Sequence, residues 1–316
     1  MIYVEMYGRL GNQMFRYAFA RAMQEKCKDK NMILSFNQIN DIKSNNLTEF
    51  GWEDALQYFN VKPYKIYKKK GKVILNESNL VQRFICMFYY LGLKRFNVEE
   101  KIEQYNYSLK YMKVLNKLGI YWLREGYYNF LPCNIKNKFI SGSFEDPRYF
   151  EEIRDKLITE FTPKYDILSK NIDLYNIINS SNSICVTIRR GDFISVEENK
   201  KLHYVCNEDY FYRAMDIIAK KVNNPKFIIF SDDIEWVKNN MNFKYDVLYE
   251  EGNDPIWEKL RLMYSCKNFI ISNSTFSWWA QYLSRNERKI VISPNRWFNN
   301  EYESKLIDNK WILLDV

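Results

Sequence analysis

Histidine is nearly absent from this sequence, with one in 316 residues, His203, and the six cysteines at 27, 86, 133, 185, 206 and 266 include no C-x-x-C pair. That excludes a disulfide frame and a zinc site, and the thiols read as reduced, as in a cytosolic protein. No apolar run is long enough to cross a bilayer. The most apolar segment, Phe84 to Leu93, is too short. It reads as a buried helix, with an interfacial contact to anionic lipid as the alternative through Arg83 and Lys94-Arg95 at its flanks. No signal-peptide pattern stands ahead of Ile2-Tyr3-Val4, and there are neither repeats nor low-complexity tracts. Acidic residues are outnumbered, 39 against 47 lysines and arginines, giving +8 and a pI near 8.9. An anionic partner fits that balance, whether nucleic acid, a membrane surface or a nucleotide sugar. Patches such as Lys65, Lys68, Lys69 and Lys70 also read simply as solvated surface.

What is present is alternation. Strands are expected at Ile2–Met6, Met32–Phe36, Phe139–Ser141, Ile184–Ile188, Lys226–Phe230, Val247–Glu250, Asn268–Ser272, Lys289–Ser293 and Trp311–Leu314. Helices are expected at Met14–Lys26, Pro147–Phe161, Asp209–Val222, Ile234–Met241, Pro255–Cys266 and Ser277–Leu283. Such alternation implies doubly wound parallel sheets. The stretch from Gln38 to Asn137 reads as helical insertions, and Phe161-Thr162-Pro163-Lys164 as the seam between domains 1–163 and 164–316.

Chemistry gathers at the ends of strands, where open α/β sheets bind ligands. Ser183 to Ile188 is a β-branched run that delivers Arg189 and Arg190 into a turn closed by Gly191-Asp192. Two guanidiniums at a strand end suit a phosphate or pyrophosphate, although they also serve to cap a strand and pair with carboxylates. The first strand runs into Gly8-Arg9-Leu10-Gly11-Asn12-Gln13, whose glycines permit a tight turn and close backbone approach to a ligand. Phe230 leads to Ser231-Asp232-Asp233, which suits hydrogen bonds from a ribose or the N–H edge of a base, as in a guanine nucleotide. Ser272 leads to Asn273-Ser274-Thr275-Phe276, whose hydroxyls and amides open a helix toward an anion.

In this order, Gly8 to Ala20, Phe144-Glu145-Asp146-Pro147-Arg148-Tyr149-Phe150, Ile188 to Asp192, Phe230 to Asp233 and Ser272 to Trp279 resemble the motif series of the family 11 glycosyltransferases. These are α-1,2-fucosyltransferases that use GDP-fucose. The resemblance runs to about Trp297 and implies a GT-B architecture: two facing Rossmann-like domains with a cleft, acceptor on the N-terminal side and donor on the C-terminal side. One position departs from the pattern, since Thr187 stands where the family usually has histidine. His203 either stands in near the acceptor or is a loop residue without chemical part.

The resemblance implies inverting transfer of L-fucose to the 2-hydroxyl of a galactose residue, on a glycan or lipid-linked oligosaccharide. Gly8, Gly11, Asn12, Gln13, Arg189, Arg190, Asp192, Ser231, Asp232, Asp233, Asn273, Ser274, Thr275 and Phe276 are the expected donor-binding set. No Asp-x-Asp motif sits at a strand end, so Arg189 is expected to replace a metal at the leaving pyrophosphate, and no cofactor or metal is expected. Glu197 occupies an offset resembling that of a carboxylate base in distantly related fucosyltransferases. A cytoplasmic protein is expected, with a peripheral place at the inner membrane face as the further option. The alternatives are a transferase of another GDP-sugar or linkage, and a protein that binds glycan or nucleic acid without catalysis. Nucleic acid is not expected, because the aromatics do not interleave with Lys or Arg in an RNA-binding pattern.

Overall fold

Strands that are apolar on both faces belong in sheets covered on both sides, and that is how these runs are used. A computed structural model describes residues 1–44 and 52–316, which divide into the units Met1–Glu160 and Phe161–Val316. In the first unit, β1 (Ile2–Glu5), β2 (Met32–Ser35), β3 (Lys65–Ile66), β4 (Ile120–Leu123) and β5 (Lys138–Gly142) form a sheet of order β3-β2-β1-β5-β4. All four pairings are parallel. The chain leaves the centre at β1, fills one side, then returns on the other, so strand order reverses between β1 and β5.

In the second unit, β6 (Asn182–Ile188), β7 (Pro225–Ser231), β8 (Val247–Tyr249), β9 (Asn268–Ile270), β10 (Val291–Pro294) and β11 (Ile312–Leu314) run β11-β10-β9-β6-β7-β8, again all parallel. This is the Rossmann order, and its reversal falls between β6 and β9. Ile184, Val186 and Ile188 of β6 pack with Phe227, Ile229 and Ile270 and with Tyr210, Ala214 and Ile218 of the helix Glu208–Ala219. Fully burying such a side chain stabilises by about 1.5–3 kcal/mol relative to exposure. This buried packing leads directly into the Arg189 turn.

Several expectations from sequence are corrected. The first helix is Leu10–Cys27, so Gly11, Asn12 and Gln13 lie in its first turn and not in a loop ahead of it. Pro147 to Phe161 holds two 3₁₀ turns and the short helix Arg154–Glu160. Strands β3 and β4 were not expected within the Gln38–Asn137 insertion, and residues 45–51 of that insertion lie outside the described residues. The Phe84–Leu93 segment belongs to a helix, Leu80–Leu93, but one whose apolar face is solvent-exposed. All six cysteines are free thiols.

Candidate functional site

Arg189 and Arg190 leave β6 at the reversal point of the second sheet, where neighbouring strands send their loops in opposite directions and open a crevice. Both guanidiniums are anchored. Arg189 Nη1 donates to Asp232 Oδ2 at 2.5 Å, and its Nη2 donates to Asp192. The other oxygen of Asp232 accepts the backbone N–H of Arg190 at 2.9 Å. Arg190 lies over the Trp236 ring, 3.0 Å from its centroid, and pairs with Glu208 at 3.4 Å and Asp233 at 3.6 Å. The Ser231 hydroxyl accepts the N–H of Asp233 at 3.0 Å, fixing the turn after β7. The structure thus joins Arg189, Arg190, Asp192, Asp232 and Asp233 in one cluster, with Ser231 setting its edge.

Gly191 makes this packing feasible, since a Cβ there would sit 2.3 Å from Asp232 Oδ2 and 3.8 Å from Arg189 Nη1. After β9 the helix Thr275–Leu283 begins, with Ser274 at its N-cap position. The expected side-chain cap from Ser274 is not made, although its carbonyl accepts the Trp278 N–H at 2.9 Å. Ser274, Thr275 and Phe276 remain partly exposed at this helix start. Asn273 does not: it is buried, and its amide donates to the carbonyls of His203 and Trp297, each at 2.8 Å. Those two bonds fix the loop that leads into the helix.

Thr187 is also buried. Its hydroxyl donates to the Ile270 carbonyl at 3.4 Å and accepts the Ser272 N–H at 3.2 Å, stitching β6 to the turn after β9. His203 is the last residue of the helix Glu197–His203, not a loop residue, and its ring stacks on Phe193 at 5.0 Å. Glu197 stands exposed in the first turn of that helix, and no described hydrogen bond or ion pair joins it to the arginine cluster.

The first unit offers a second crevice at its own reversal point. Gly8 adopts φ +77°, a left-handed turn that a side chain would strain, and a Cβ would meet Asn12 at 2.5 Å. Gln13 is fully buried and bridges Gly8 O at 2.9 Å, Glu53 O at 2.7 Å and the Ala55 N–H at 3.1 Å. In this position it braces the Gly8 turn against residues 53–55. Beside this turn opens a cavity of about 590 Å³ whose lining includes Glu5, Arg16, Gln38, Tyr90, Trp122 and Arg124. Buried Arg16 donates to the Glu5 carbonyl at 2.8 Å and is pulled down to about 10, by burial above all, against the charges of Glu145 and Glu5. Glu5, whose carboxylate accepts the Val73 N–H at 2.7 Å, is pushed up, again chiefly by burial.

Nothing in the Phe144-Glu145-Asp146-Pro147 motif marks Glu145 as a titrating group; its setting comes from the fold. Phe144 holds φ 55°, a costly conformation for a bulky residue, and stacks on Phe19 at 3.9 Å between ring centroids. This bend sets Glu145 where burial, and then the charge of Glu125, push its carboxyl up to about 7, against Lys101 and Arg16. Asp146 caps the following turn and pairs with Arg148 at 2.5 Å.

The model of glycosyl transferase family 11 matches residues 1–315. An α-1,2-colitosyltransferase of Escherichia coli is 32% identical, over 100% of this chain and 99% of its own. The galactoside α-(1,2)-fucosyltransferase 1 of Leontopithecus chrysomelas is 26% identical over 43% of this chain and 40% of its own. Among solved structures, the NodZ α-1,6-fucosyltransferase co-crystallized with GDP aligns at a TM-score of 0.50 and 12% identity, covering 89% of this chain and 91% of that one. That last likeness is one of fold, of the GT-B kind.

Proposed function

The chain belongs to glycosyl transferase family 11, and from that premise we propose that it transfers L-fucose from GDP-fucose to the 2-hydroxyl of a galactose residue on a glycan. The observation that carries the reading is the clamped Arg189 at the β6/β9 reversal point. As GDP departs, negative charge grows on the pyrophosphate while the sugar carbon becomes oxocarbenium-like. A guanidinium already fixed by two carboxylates meets that charge without reorganising, which favours the transition state over the ground state. The N–H groups at the start of the helix Thr275–Leu283 extend the phosphate cradle, and Asp233, in the turn that Ser231 fixes, suits the ribose or guanine edge.

Both oxygens of Asp232 are engaged by arginine groups, so the carboxylates after β7 brace cations instead of recruiting one, and the proposed transfer is metal-independent. The acceptor hydroxyl attacks opposite the leaving group and inverts the anomeric carbon, with Glu197 as the proposed base. The polar, aromatic-lined cavity of the first unit has a size suited to a sugar acceptor.

A second reading keeps the site and changes the sugar, because the relative at 32% identity is named a colitosyltransferase. Colitose lacks the 3-hydroxyl of fucose. The test incubates the chain in EDTA with GDP-fucose or GDP-colitose and galactose-terminated acceptors, and assigns the product by NMR. An α-1,2-fucosyl product supports the first reading, and product from GDP-colitose alone replaces it with the second. Absence of product from either donor sinks both, while product restored only by magnesium or manganese sinks metal independence.

A further inference from the structure

Six large apolar side chains line one side of the helix Leu80–Leu93, and all of them face solvent. Leu80, Val81, Phe84, Met87, Phe88 and Leu91 are between 47% and 80% exposed. Their spacing of three, four and seven places them on one stripe, while Gln82, Cys86, Tyr89 and Leu93 on the opposite stripe are buried. The orientation is locked from the inner side. Asn79 and Gln82 form a reciprocal capping box, Gln82 also donates to Leu118 O at 2.8 Å, and the Tyr89 hydroxyl donates to Ser108 at 2.8 Å and Trp122 O at 3.1 Å. Turning the apolar face inward would break the bonds of Gln82 and Tyr89 to Leu118, Ser108 and Trp122, so the exposure is built in. Soluble monomers rarely present so large a continuous apolar patch without a partner.

Charge identifies the partner. From Leu80 to Asn97 the sequence carries Arg83, Lys94 and Arg95 and no acidic residue. The adjoining helix Lys101–Lys117 adds exposed Lys110, Lys113 and Lys117 beside exposed Leu109 and Val114, and these cations with Arg83, Lys94 and Arg95 outnumber the exposed Glu99, Glu100 and Glu103 of the same region. A second copy of the chain would bring these cations against one another, whereas an anionic bilayer complements them. Fourteen residues rise only about 21 Å, short of the ~30 Å hydrocarbon core, and among the described residues no helix is long and apolar enough to cross a membrane. We propose that the helix Leu80–Leu93 lies in the headgroup layer of an anionic membrane, its apolar stripe in the acyl boundary and its basic ends on lipid phosphates.

Such a contact would hold the first unit at a lipid surface, and it is independent of the sugar transferred. Vesicle co-sedimentation tests it, with phosphatidylcholine alone and with phosphatidylglycerol added. The whole chain is expected to bind the anionic vesicles and release them as salt rises. A triple variant, Phe84→Ser with Phe88→Ser and Leu91→Ser, is expected to bind about a hundredfold more weakly, with an unchanged thermal melt and unchanged transfer to a soluble acceptor. Lys94→Glu with Arg95→Glu keeps the apolar stripe and is expected to lose the preference for phosphatidylglycerol. Equal binding by wild type and triple variant overturns the proposal, as does a wild type that ignores both vesicles. A lipid-free dimer that the triple variant dissociates overturns it too, since the stripe would then be covered by a second copy.

Discussion

Arg189 carries the heaviest expectation because its guanidinium is committed at both ends, to Asp192 and to Asp232. Removing a charge that meets the leaving pyrophosphate costs roughly 3–4 kcal/mol, a hundred- to thousandfold in rate. Arg189→Ala is therefore expected to fall to that level in kcat, measured in a GDP-release assay, and more than about a tenth of wild-type activity in a folded variant would remove Arg189 from the site. Arg190 is held over Trp236 by contacts within the second unit, so Arg190→Ala is expected to cost less. Glu145 makes a different kind of prediction. Its folded carboxyl titrates near 7, above the ~4.3 of an unfolded glutamate, so between those values the folded state binds the extra proton. Stability then falls as pH rises through this window and the loss is complete above about 7. Glu145→Gln removes the titration. Relative to wild type it is expected to gain roughly 1–3 kcal/mol between pH 5 and pH 8 in urea melts, and a difference that stays flat with pH would contradict the assignment.

The elements around these residues act through spacing. Gly191 leaves room for Asp232 against the β6 turn, and the methyl of Gly191→Ala would push that carboxylate away from Arg189. Arg189 would keep its charge and lose one of its two anchors. This variant is expected to lose about tenfold or more in kcat while GDP affinity, by calorimetry, changes less. An equal fall in both would mean that the turn serves binding alone. The strands that frame this site were legible in the sequence because β6, β7 and β9 are short β-branched runs, each ending in a polar turn. The stretch that forms β4 was not, since Ile120-Tyr121-Trp122-Leu123 follows directly on the helix Lys101–Lys117 with only Leu118 and Gly119 between. The roles of Gln13, Thr187 and Asn273 were equally hidden. Gln13 and Asn273 are polar residues in motifs, which read as ligand contacts, and Thr187 reads as a departure from the family's histidine, yet each is buried and bonded to backbone groups of segments far away in sequence. The exposed stripe of the helix Leu80–Leu93 was misjudged for a related reason, because an apolar run shows that some face seeks a nonpolar surface and does not say whether protein supplies it.

At the scale of the whole chain, each unit has its own sheet and its own reversal point. The strand ends at the two points differ in chemistry. The second unit presents arginines and helix amides suited to a nucleotide diphosphate, and the first presents a cavity with Tyr90, Trp122 and Arg124 in its lining, suited to hydroxyls and sugar faces. A ligand that binds only the folded state stabilises what it touches, by about 2.7 kcal/mol at a hundred times its Kd. GDP is therefore expected to slow amide hydrogen exchange at residues 189–192, 231–233 and 273–277 and at the Gly8 turn, whose residues belong to the expected donor-binding set, and to leave the β5 turn of the first unit unchanged. A galactose-terminated acceptor added alone should instead protect residues 141–146 of the first unit and leave the second unit unchanged. If GDP instead protected only the Gly8 turn and the cavity of the first unit, donor and acceptor would have to exchange places. The clamped Arg189 would then be a strand-end brace, and the proposal that it meets the leaving phosphate would fail.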